Sequence, residues 1–104
     1  MLDSNKGELS QIWKKTMDLF VEKKDIDSVS FQSFYARSRL YDINQEFATV
    51  VVSTQIEKQV LQHELIDIQN ILSSVVGYPV VCQLVLQKEI EMMETAVVTR
   101  YSKI

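Results

Sequence analysis

Between Phe47 and Gly77 the hydrophobic rhythm of the chain changes once, and that change limits the folds open to it. FATVVV is a β-branched run suited to a strand, whereas from Gln55 onward the apolar residues Val60, Leu61, Leu65, Ile68, Leu72 and Val75 fall three, four and seven apart, as on one face of a helix. A strand therefore runs almost directly into a helix. Thr54 and Glu57 mark the start of that helix as a T-x-x-E capping box, in which the hydroxyl accepts from the N3 amide and the glutamate reaches back towards the cap. In many enzymes such a junction is a glycine-rich loop that lets backbone N–H groups approach a phosphate. VVVSTQIEKQ holds no glycine, so the junction is expected to be structural and to bind no phosphate. Gly77 is placed to end the helix in a left-handed conformation.

The flanking segments supply the other elements. ELSQIWKKTMDLFVE, Glu8 to Glu22, carries Leu9, Ile12, Trp13, Thr16, Leu19 and Phe20 at helical spacing opposite Gln11, Lys14, Lys15, Asp18 and Glu22, which predicts an amphipathic helix. Short polar residues from Asp25 to Ser30 break it. SFQSFYARS then predicts a second, shorter helix with Phe31, Phe34 and Tyr35 on its apolar side. Arg37 to Ile43 and Phe47 to Val52 predict a hairpin joined through Asn44, Gln45 and Glu46, and VVCQLVL after Pro79 predicts a third strand. The expected fold is α+β in the order α-α-β-β-α-β, a KH-like arrangement with helices packed on a small three-stranded sheet. Residues 1–87 form the expected domain and 88–104 a C-terminal tail or the start of a linker. The tail is compatible with a short helix through Glu94 or a strand over Thr95 to Tyr101.

Composition excludes several function classes. With 104 residues there is room for one core, and 46% hydrophobic against 24% charged residues is ordinary for a globular domain. A formal charge of -3 and a pI near 5.1 do not suit a protein whose main task is wrapping nucleic acid. One cysteine, Cys82, sits among apolar neighbours and reads as a core thiol in a reducing compartment. No signal-like or membrane-spanning run occurs, so a cytoplasmic protein is expected. His63 is alone and on the polar side of its helix, and Glu57, Glu64 and Asp67 read as a solvated acidic face. No nucleophile, base and orienting group assemble, and no metal-ligand spacing occurs. The chain is expected to be no enzyme and to need no cofactor.

Two binding surfaces remain. Lys14, Lys15, Lys23, Lys24, Arg37 and Arg39 gather in the first half with Phe34 and Tyr35 between them, the pattern of a weak single-stranded nucleic-acid patch, though the GXXG loop of a KH domain is missing. The first helix has an apolar arc of roughly 160°, wider than one small core covers. The edge made by Ile12, Trp13 and Met17 is therefore expected to be exposed, as an anchor for a partner.

From Glu8 to Leu86 the chain resembles a known family, the N-terminal domain (domain I) of the bacterial replication initiator DnaA. ELSQIWKKTMDLF is similar to that family's opening tryptophan-bearing helix and VSFQSFY to its second helix. FATVVVSTQIEKQVLQHELIDIQNIL is similar to its strand and long helix, and GYPVVCQLVL to its last strand. Phe34 stands where the family has a tryptophan, and Ser53-Thr54 where it has Pro-Asn. The resemblance implies a docking domain that self-associates through the first helix, as a homodimer or with a full-length initiator. It also implies contacts with a replicative helicase or regulatory proteins, and at most weak contact with single-stranded DNA. Ile12 and Trp13 match the family's self-association positions, while Ile56 and Ser30 fall where helicase contacts occur. The ATPase and DNA-reading domains of a complete initiator are not in these residues. AVVTRYSKI is apolar enough to pack, which favours a small stand-alone relative over an excised domain.

Overall fold

A computed structural model describes the backbone of residues 2–92 and the side chains of residues 7–92. The first helix, α1 (Leu2–Lys24), starts before the amphipathic stretch and ends at Asp25, whose φ of 53° lets the chain turn back so that Ile26 N–H reaches Val21 O at 3.1 Å. The next helix, α2 (Ser28–Phe34), is capped by Asp27, which accepts from the Ser30 N–H at 3.1 Å and from its hydroxyl at 2.7 Å. The hairpin β1 (Arg39–Asn44) and β2 (Phe47–Val52) closes through Gln45 and Glu46 alone, with Gln45 at a φ of 57°. Tyr41 is the extra residue of a bulge, because the register passes from Leu40↔Val50 to Asp42↔Thr49.

The helix expected as one piece from Gln55 to Gly77 is two: α3 (Gln55–His63) and α4 (Leu65–Val76). At Glu64 the backbone opens to φ -104° and ψ 8°, its N–H bonding one residue short, to Leu61 O, before α4 begins with Ile68 N–H on Glu64 O. Gly77 ends α4 at a φ of 88°, as expected, with its N–H on Ser73 O at 2.9 Å. The last strand, β3 (Val81–Leu86), pairs parallel to β2, giving a mixed sheet in the order β1-β2-β3. A helical stretch, α5, covers 87–92 and buries Ile90. The alternative strand over Thr95 to Tyr101 lies outside the described residues.

The domain is thus α+β, with five helices among the described residues and helices packed on the sheet. Strand alternation sends Ala48, Val50 and Val52 of β2, with their register partners Cys82, Leu84 and Leu86 of β3, to the face that meets Phe20, Leu61, Ile68 and Leu72. Phe20, Leu61 and Leu72 are completely buried. The other face carries Phe47 beside Val81, both about half exposed, and Thr49 accepting from Gln83 at 3.0 Å. α1 packs on α4 along one flank and on β1 along the other. No helix among the described residues is long and apolar enough to cross a membrane.

Candidate interaction surfaces

Trp13 and Met17 are not the exposed edge expected from the sequence: they are 6% and 4% exposed and belong to the core, and Ile12 is half-buried against it. The wide apolar arc is real, but it is covered on two flanks, by α4 and by the α2–β1 segment, instead of one. The indole is also committed. Trp13 Nε1–H donates to Ser38 Oγ at 3.1 Å, and that hydroxyl donates to Tyr35 O at 2.6 Å, so a buried polar chain ties α1 to the α2–β1 connection.

The basic and aromatic residues expected to form one nucleic-acid patch are divided, with Lys14, Tyr35 and Arg39 about one groove and Lys23 and Lys24 at the far end of α1, and most of the cations are paired. Tyr35 is 5% exposed, packed at 5.3 Å between ring centroids from Phe20, and Phe34 is half-buried against the core. The Tyr35 ring offers no open stacking face. Lys14 pairs with Asp18 at 3.0 Å. At the other end of α1, Lys24 meets Asp67 at 2.8 Å and Glu64 at 3.4 Å, and Lys23 stands 3.9 Å from Asp67. The hydrogen bond with Lys24 holds the Asp67 carboxyl below the usual carboxylate range, and the same bond holds the Lys24 ammonium above its ordinary value. Burial, with Glu64 nearby, pushes the Tyr35 phenol up. The acidic face read from α3 and α4 is therefore a clamp between α1 and α4.

Glu57 departs further from expectation, being 2% exposed. Its backbone N–H donates to Thr54 Oγ1 at 3.2 Å, as the capping box requires, but its carboxylate reaches Ser53 N–H at 3.0 Å, one residue before the cap. The other oxygen accepts from the Arg37 guanidinium. Arg37 thus bridges the end of α2 to the start of α3, and the strand–helix junction is filled by protein. One residue away, Ile56 stands 63% exposed on the first turn of α3. Ser30 is half-buried with its hydroxyl spent on capping α2, so of the two positions matched to helicase contacts only Ile56 is open. Nothing in the sequence distinguishes Glu57 as buried; the signal that could have found it is the arginine 20 residues away, and that pairing is tertiary.

Cys82 is buried, and desolvation pushes its thiol up to about 11, away from nucleophilic chemistry at neutral pH. His63 is exposed. No group of three or more His, Cys, Asp or Glu among the described residues is arranged to hold a metal ion. Among the described residues a concavity of about 870 Å³ forms a groove between α1 and β1, with Trp13, Met17 and Leu40 in its floor. No protein-family model matches the chain, and a search of curated proteins finds no significant relative.

Proposed function

We propose that the chain is a non-catalytic protein-docking domain of the kind that serves bacterial replication initiation, working in the cytoplasm and offering Ile56 to a replicative helicase or regulatory protein. The observation that carries this reading is the state of Ile56: a large apolar side chain, 63% exposed, on a helix turn held rigid by the Thr54 cap and the buried Glu57–Arg37 pair. A preorganised anchor loses little entropy on binding. The element order and the resemblance to DnaA domain I supply the biological setting. Self-association, or pairing with a full-length initiator, runs in this reading through Ile12 and Leu19, two turns apart on one side of α1, since Trp13 and Met17 are occupied by the core.

The test is a titration of the chain with a purified bacterial replicative helicase and, separately, with a full-length initiator. Binding that Ile56→Asp removes without lowering the melting temperature is expected. Wild-type protein that binds neither would overturn the assignment. Titration with single-stranded DNA belongs to the same experiment: tight binding that weakens steeply with salt would favour nucleic-acid recognition instead.

A further inference from the structure

The groove between α1 and β1 differs from the Ile56 surface in having both an apolar floor and a charge left over. Trp13, Met17 and Leu40 close its floor, and Leu9 and Phe31 stand half-buried at its sides. On its rim the Lys14–Asp18 pair cancels itself. Arg39 does not cancel. Its guanidinium donates to the neutral Gln87 Oε1 at 2.6 Å and lies 5.5 Å from the centre of the Tyr41 ring, and among the described residues no carboxylate pairs with it. Lys14, Lys23, Lys24, Arg37 and Lys58 each have an acidic neighbour and Lys15 and Lys88 stand exposed away from the groove lining, so Arg39, positioned by an amide and a ring, is the groove's uncompensated cation, and a guanidinium so held can pair with a carboxylate.

We infer that this groove takes an amphipathic helical segment of a partner protein, its apolar side between the half-buried Leu9 and Phe31, above the floor that Trp13, Met17 and Leu40 close from the core, and an acidic side chain on Arg39. The groove is half open to solvent, so it can admit a length of polypeptide, whereas a small-molecule site surrounds its ligand on most sides. Helices bind such grooves through residues spaced i, i+3 or i+4, and i+7. A nucleic-acid backbone needs a track of cations, and this rim offers one net positive charge.

The probe is a tryptophan-free amphipathic peptide of about four turns, with leucines at that spacing and glutamates on the flanks, beside its counterpart with lysines in place of the glutamates. Both are titrated into the full chain, following the emission of Trp13, the only tryptophan, and the backbone amide shifts. The acidic peptide should perturb Trp13 and the amides of Arg39 to Tyr41, Arg39→Glu should weaken it about tenfold, and the same variant should reverse the preference towards the lysine peptide. Arg39 is exposed, and its variant's melting curve should match the wild type. Absence of binding by the acidic peptide, binding indifferent to Arg39→Glu, shifts centred on Ile56, or displacement of the peptide by single-stranded DNA would each overturn the inference. So would a groove already filled by a second copy of the chain, seen as a dimer in sedimentation that the peptide does not disturb.

Discussion

At Glu57 a carboxylate is held almost out of water by a backbone N–H on one oxygen and a guanidinium on the other. Removing it breaks two charge-assisted hydrogen bonds, from the Ser53 amide and the Arg37 guanidinium, so Glu57→Ala should cost about 1–3 kcal/mol in chemical denaturation. Thr54→Ala removes only the cap and should cost about 1 kcal/mol. The two share one network, and the double variant should lose less than the sum. Cys82 offers a second check at this scale. With its thiol pushed up to about 11, it should stay unreactive towards a thiol reagent at neutral pH until the protein unfolds, so that labelling reports unfolding rather than surface chemistry. A thiol raised in the folded state supports folding below its ordinary value of 9.0 and loses that contribution as pH climbs through about 11.

Between elements, the contact most open to titration is the clamp of Lys23 and Lys24 on Asp67 and Glu64. Asp67 is held below 3.8 in the folded chain, so it favours folding above that pH and ceases to do so as pH falls through its lowered value. Lys24, raised above 10.5, favours folding below that pH and ceases to do so as pH rises through its raised value. Asp67→Asn should therefore flatten the acid limb of the stability–pH curve, and added salt should shrink the difference from wild type because these groups are solvent-accessible. The helix ends themselves were readable from sequence where the cause is local: Thr54 starts α3, and Gly77 stops α4. The break at Glu64 was not, because the apolar spacing of Val60, Leu61, Leu65 and Ile68 continues across it. A bend of this kind is set by what the two halves pack against, and periodicity within one segment carries no record of that.

For the molecule as a whole, the position of Trp13 decides what its loss would do. Periodicity located the apolar arc of α1 but not the second flank that covers it, and so an interface residue was expected where there is a core residue. Trp13→Ala should lower stability by about 3–5 kcal/mol, a large part of the 5–15 kcal/mol typical of a domain. Circular dichroism should record a much lower melting temperature. A variant as stable as wild type that had merely lost a dimer in sedimentation would return Trp13 to the surface role.

The parallel pairing of β2 with β3 has a consequence for synthesis. The hairpin partner of β2 precedes it in the chain, but its other neighbour lies beyond the whole of α3 and α4, with Val52 and Leu86 joined only when residue 86 is in place. A growing polypeptide therefore carries an unsheltered Val50-Val51-Val52 edge through the making of two helices, and closing so long a loop is slow. Exposed apolar edges recruit other chains. Fragments ending before Val81 should accumulate as aggregates where the full chain stays monodisperse, a difference that centrifugation of expressed 1–80 and full-length protein would register.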